Sequence, residues 1–222
     1  MSELVAYDAN ESPLPEVTNP YDESYSVVVS GSAFLPRLQL FIAASELVKN
    51  GNFPMNHYGL VASKDQVEDL GKEVDVLLLS WRPRALDASD KSNIRASSDV
   101  NSDLFKEIQE NSKETNSGCM YGPEYLVWVP NREKFATVLF GSISARNEAR
   151  NVHPLIKKPC TFKSRLIKTP KYSWQSMIVT PCSTPFMIPT EDIIREVIEE
   201  FLQPREITGA EKAPDTVGAR VR

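Results

Sequence analysis

The chain predicts an α+β fold: an antiparallel, β-rich, elaborated OB-like barrel with inserted helices and a C-terminal helix. Three observations lead there. Short β-branched and apolar runs outnumber helical ones. Two pairs of these runs are separated by only a few residues, as in hairpins. The helical stretches are inserted between strand runs and do not alternate with them regularly, which disfavours a doubly wound parallel sheet.

Residues 1–22, with Pro13, Pro15 and Pro20, read as an extended acidic arm, 23–203 as a single α+β domain, and 204–222 as a flexible tail. SYSVVVS (24–30), RLQLFIAAS (37–45) and HYGLVAS (57–63) predict strands, although Leu38, Phe41 and Ile42 also fit helical spacing. Ser63 and Gln66 make a capping-box pair for a short helix ending at Gly71. VDVLLLSW (74–81) predicts a buried strand stopped by Pro83, and the polar run 85–102 a loop.

DLFKEIQENSK predicts a helix capped by Ser102 or Asn101 and broken by SGCMYGP. EYLVWVP and KFATVLFG, separated by Asn131, Arg132 and Glu133, predict the clearest hairpin. SARNEARNVH predicts a helix capped by Ser142 or Ser144, with Arg146 and Arg150 on one face. CTFKSRLIK and YSWQSMIVT predict a second hairpin. TEDIIREVIEEFLQ is the strongest helix: Thr190 caps it, Glu191 and Asp192 suit its positive end, and Ile194, Val197, Ile198 and Phe201 form one stripe.

Composition is that of a folded globular protein, 41% apolar and 25% charged in 222 residues. No apolar run approaches the roughly 20 residues that span a bilayer, and the N-terminus lacks a cationic segment followed by an apolar core. Three cysteines without CxxC spacing fit a reducing compartment, so a cytoplasmic location is expected.

The net charge of −5 argues against nucleic acid, but its distribution reverses that argument. Residues 1–30 carry six acids and no Lys or Arg. Residues 131–180 carry ten cations against Glu133 and Glu148. The chain is polarised along its length.

Catalytic chemistry has little to build on. The only histidines are His57 and His153, and neither GxxxxGK[ST] nor GxGxxG occurs. Cys119, Cys160 and Cys182 lack the close pairing of a zinc site. The run Asp65, Glu68, Asp69, Glu73 and Asp75 could serve magnesium or acid/base work, but on a short helix and strand start it reads as a solvated face. No cofactor or metal is expected.

What remains is a basic, aromatic region. Proteins that hold single strands combine cations along the phosphates with aromatic faces for the bases, often on a small barrel. Arg132, Lys134, Lys163, Arg165, Lys168 and Lys171 are the phosphate candidates, Tyr172 and Trp174 the stacking candidates, and Arg82 and Arg84 beside Trp81 a secondary contact. Strand alternation puts Lys163 and Arg165 on one face with Ile167, opposite Phe162 and Leu166. The competing reading makes Trp174, Trp128 and Phe140 core residues and the cations the wet side of a sheet.

The strings FLPRLQL, LGKEVDVLLLSWRPRALD, GCMYGPEYLVWVP, KFATVLFGS and KYSWQSMIVTPCSTPF together resemble a family of uncharacterised proteins from tailed bacteriophages, over about residues 30–190. The resemblance carries no catalytic or binding residues; it implies a phage protein in the host cytoplasm or the particle. The OB-fold single-stranded DNA-binding proteins of phages are the nearest functional analogy, although they often end in acid whereas this chain ends GARVR. The expectation is a non-enzymatic single-stranded DNA-binding protein of phage replication or recombination. Its partners would be single-stranded DNA, further copies of itself and phage replication proteins, with no membrane. The alternative is a virion structural protein of capsid or tail making subunit contacts.

Overall fold

The computed structural model describes residues 35–63, 66–90, 93–114, 117–170 and 173–208, together with the backbone of 4–6. The strand expected at 24–30 lies outside the described residues. In order the elements are β1 Leu4–Ala6, β2 Arg37–Phe41, α1 Glu46–Lys49, β3 His57–Ser63, β4 Gln66–Gly71, β5 Glu73–Asp87 and β6 Arg95–Ser97. There follow α2 Asp103–Asn111, β7 Cys119–Val129, β8 Lys134–Leu139, α3 Ile143–Val152, β9 Pro159–Lys168, β10 Ser173–Pro181, β11 Met187–Pro189, α4 Glu191–Leu202 and β12 Glu206–Thr208. Short 3-10 turns occupy Pro130–Arg132 and His153–Leu155. The protein is α+β with a large, mostly antiparallel sheet.

The chain divides into two compact units: Met1–Arg82 with Pro123–Gln203, and Pro83–Gly122 with Pro204–Arg222. In the first, the strand order is β10-β9-β5-β7-β8-β2-β3-β4. The ends of this path, β10 and β4, are not paired with each other among the described residues, so the sheet is open where an OB-like barrel would close. One pairing is parallel, Arg37 of β2 with Thr137 of β8.

Alternation sorts the side chains of β5 and β7 onto two faces. Val74, Val76, Leu78, Tyr125 and Val127 meet Ala145, Ala149 and Val152 of α3. Leu77, Leu79, Leu126 and Trp128 meet Ile194, Ile198 and Phe201 of α4. Each such large side chain, removed from water, contributes about 1.5–3 kcal/mol. The expected core tryptophan Trp128 is 2% exposed and Phe140 is fully buried.

Both predicted hairpins form, β7 with β8 and β9 with β10. The turn at Pro130–Arg132 closes with Glu133 in the left-handed region. Of the alternative caps, Ser102 accepts from the Phe105 N–H and Ser142 from the Ala145 N–H, each such cap contributing about 1 kcal/mol. At α4, Thr190 occupies the cap position without a side-chain hydrogen bond.

Three local expectations are corrected. Gln66–Gly71 is strand β4, not a helix capped by Ser63. A six-residue helix leaves most of its backbone groups unsatisfied, whereas β4 pairs antiparallel with β3. Gly71 keeps its left-handed conformation but turns the chain into β5, with its N–H donating to Asp69. Pro83 does not stop β5: it falls between Glu73–Leu77, which pair with β9, and Ala85–Asp87, which pair with β6, so neither ladder needs its missing N–H. The run 85–102, expected as a loop, holds the end of β5 and all of β6.

In the second unit, β6 lies between β12 and the last residues of β5, and Phe105 and Ile108 of α2 pack on Ala85. Glu206–Thr208, in the stretch expected as tail, is therefore a paired strand. Within the stretch expected as arm, Leu4–Ala6 pairs antiparallel with β11. Gly118 must be glycine: its φ is +75° and an added Cβ would lie 2.6 Å from the Ser89 backbone.

Candidate nucleic-acid interface

The β9–β10 register builds a surface that neither strand specifies alone. Residues directly opposite in an antiparallel pair project to the same face. Lys163 stands opposite Ile178, Arg165 opposite Ser176, and Ile167 opposite Trp174. Lys163, Arg165 and Trp174 therefore share one face. The other face carries Cys160, Phe162 and Val179 into the core beneath α3.

Pairing between β9 and β5 ends at Lys163, which lies opposite Glu73. Beyond it, Ser164–Lys168 pair only with β10 among the described residues, so this end of the hairpin projects as a two-stranded ribbon. Its exposure follows from that. Leu166, on the face that buries Phe162, is 46% exposed, and Trp174 is 36% exposed. Lys168 lies on Leu166's face and opposite Ser173.

The candidate cations separate into two groups. Arg165 and Lys168 are exposed, with no ion pair between either and another described residue. Lys163 pairs with Glu73 at 3.0 Å, and its carbonyl accepts a 2.8 Å hydrogen bond from the buried Tyr58 hydroxyl, which fixes the base of the ribbon. Lys171 and Tyr172 lie outside the described residues.

At the β7–β8 turn, Arg132 and Lys134 both pair with Glu68 of β4, and Arg132 also donates to the Asp69 carbonyl. The Asp69 carboxylate also acts on Arg132, so two acids face the two cations. Arg82 is more deeply committed: it pairs with Glu124 at 2.8 Å, both side chains being nearly buried, donates to the Phe201 carbonyl, and lies 4.3 Å over the Phe201 ring. That arrangement ties the end of α4 to the sheet. Arg84 belongs to the second unit, is half-buried, and has an interaction of its own.

Two of the cysteines, Cys119 and Cys160, are poor nucleophiles as they stand. Burial, and then the neighbouring Asp87 carboxylate, push the Cys119 thiol above its usual range. Burial also pushes up the fully buried Cys160. Asp87 itself is held well below the carboxylate range by the Ser89 hydroxyl at 2.6 Å, with Arg95 at 2.7 Å also favouring its ionised form. Among the described residues no group of three His, Cys, Asp or Glu side chains could hold a metal, and no helix is long and apolar enough to cross a membrane.

Sequence reasoning did not single out the cluster around His153. Tyr125, fully buried, is hydrogen-bonded through its hydroxyl to His153 Nδ1 at 2.6 Å, and Trp81 lies against the same imidazole with ring centroids 4.6 Å apart. These residues are 28 and 72 positions from His153, so no spacing rule could have joined them. No protein-family model, curated protein or solved structure matches this chain.

Proposed function

We propose that the protein is a non-enzymatic single-stranded DNA-binding protein of phage replication or recombination, which uses the β9–β10 ribbon to hold the strand. The observation that carries this reading is the ribbon itself: Arg165, Lys168 and Trp174 are exposed at a hairpin end that projects past β5. A base stacked on the Trp174 ring leaves its phosphates beside the Arg165 guanidinium and the Lys163 ammonium on the same face, with Lys168 adding charge from the other face of the ribbon, and the contact is indifferent to base identity because every base has a π-face. Lys163 supports the ribbon's base and, 37% exposed in its pair with Glu73, remains within reach of a ligand on that face. Arg82, Arg132 and Lys134 are assigned no phosphate contact, because their acids are already in place.

Fluorescence anisotropy of a labelled oligothymidine, titrated at two salt concentrations, tests this. Binding that weakens steeply with salt, falls about tenfold in Trp174→Ala and is lost in the Lys163→Glu/Arg165→Glu double variant is expected, since one stacked base is removed in the first and phosphate contacts that release counterions in the second. A flat salt response would remove the proposal.

One observation favours a virion structural role as a second reading. Leu4–Ala6 pairs with β11 through backbone hydrogen bonds that any equivalent strand can make, so a second copy's arm can take the same place. Light scattering after size exclusion separates the two readings. Assembly that is abolished by deleting residues 1–6 supports the structural role.

A further inference from the structure

The structure assigns a second stacking site to the Trp81–His153 pair: we infer that it takes the base of a nucleotide whose phosphate meets Arg150 and Lys158. The site shares its ligand class with the ribbon but none of its residues.

Four features build it. Trp81 is 39% exposed, although a tryptophan in a strand of this sheet can be fully enclosed, as Trp128 is. The exposure has a backbone cause. Leu77 and Leu79 face α4, and Arg82 also reaches Phe201 of α4, so the alternation of β5 shifts by one residue between them, as at a bulge, and Trp81 emerges on the α3 side.

His153, an exposed residue, supplies the neighbouring ring, tilted 47° to the indole. Its orientation is fixed from beneath by Tyr125, whose hydroxyl also donates to the Ala149 carbonyl at 3.2 Å. A pair of rings held this way loses little freedom when a third ring stacks on it.

Cations flank the rings. Arg150 precedes His153 by three residues on a continuous helical turn, hence on the same side, and is exposed. Lys158 is exposed and accepts at its carbonyl from Leu78 N–H, which sets it three residues along β5 from Trp81, about 10 Å at the strand rise. Neither makes an ion pair with another described residue. The acid on this helix, Glu148, accepts from the Val179 N–H and from Asn151.

The two aromatic sites are separate. Starting from the Glu73–Lys163 pair, Trp81 lies along β5 in one direction and Ile167, opposite Trp174, along β9 in the other. Strand rise puts up to about 40 Å between them.

The test reads two ligands against two sets of variants. Indole fluorescence of the Trp174→Phe protein, which leaves Trp81 as the exposed tryptophan, is followed on adding thymidine monophosphate and, separately, oligothymidine; anisotropy gives the oligomer's affinity. Quenching is expected with both. Trp81→Ala is expected to weaken the oligomer about tenfold, the loss that follows from removing one stacked base, while Trp81→Phe keeps most of the affinity. Arg150→Glu, an exposed change that spares folding, is expected to weaken it several-fold.

Oligomer affinity unchanged in both Trp81→Ala and Arg150→Glu overturns this site and leaves the ribbon standing. Affinity lost in Trp81→Ala but untouched in Trp174→Ala does the opposite. Quenching by the mononucleotide without any oligomer affinity keeps this site and ends the single-strand reading. No quenching by either ligand overturns the inference.

Discussion

Two hairpin ends in the first unit carry the same kind of residue with opposite consequences. At the β7–β8 turn, Arg132 and Lys134 converge on Glu68. At the β9–β10 ribbon, Arg165 and Lys168 meet solvent. Counted along the sequence, the four belong to one basic region. In the fold, one pair stabilises a strand contact and the other is available to a ligand. The difference lies in the neighbouring strand: β8 has β4's acids within reach, whereas the ribbon has outrun β5, whose last acid toward it, Glu73, is spent on Lys163.

The comparison breaks most visibly at its most committed cation. Arg82→Ala strands the nearly buried Glu124 carboxylate, so a loss of about 3 kcal/mol of stability is expected in urea unfolding. The salt dependence of nucleic-acid binding should be unchanged. Next comes Trp174→Ala, which removes one stacked base and should weaken oligothymidine by about tenfold without moving the urea midpoint, since Trp174 lies outside the core.

A third change sharpens the contrast from the acid's side. Glu68→Gln frees Arg132 and Lys134, and anisotropy should then show affinity rising about two- to threefold as further cations reach the phosphate field. The cost in stability should stay below about 1 kcal/mol, because these pairs are largely exposed.

The smallest effect concerns pH. Packing against Tyr125 and Trp81 takes part of the His153 ring out of water and holds it below its ordinary value of 6.5. The unfolded chain therefore takes up a proton before the folded one does, and stability that is complete above pH 6.5 declines as pH falls below it. In His153→Gln that part of the decline should vanish from urea midpoints measured across the window.

Much of this fold was legible, and the exceptions share a physical cause. The β7–β8 and β9–β10 hairpins and the helices α2, α3 and α4 follow from local alternation, caps and apolar stripes. β4 did not, because Ser63 and Gln66 offer a plausible helix start and only pairing with β3 overrides it. Nor did β6 and β12, three residues each, which are strands solely by virtue of distant partners. At the site, the candidate cations and Trp174 could be read from composition and alternation. Which cations were already answered could not, since Glu68 lies 64 residues before Arg132 and Glu73 lies 90 before Lys163. Register decides those pairs, and register is a property of the sheet.

The central claim is that position in the sheet, not residue type, selects the phosphate-binding cations. The most direct test measures how oligothymidine affinity varies with salt for two double neutralisations, Arg165→Gln with Lys168→Gln and Arg132→Gln with Lys134→Gln. The slope of log affinity against log salt should fall by about 1–2 in the first and stay at the parent value in the second. Equal falls in both, or a fall confined to the β7–β8 pair, would contradict the account.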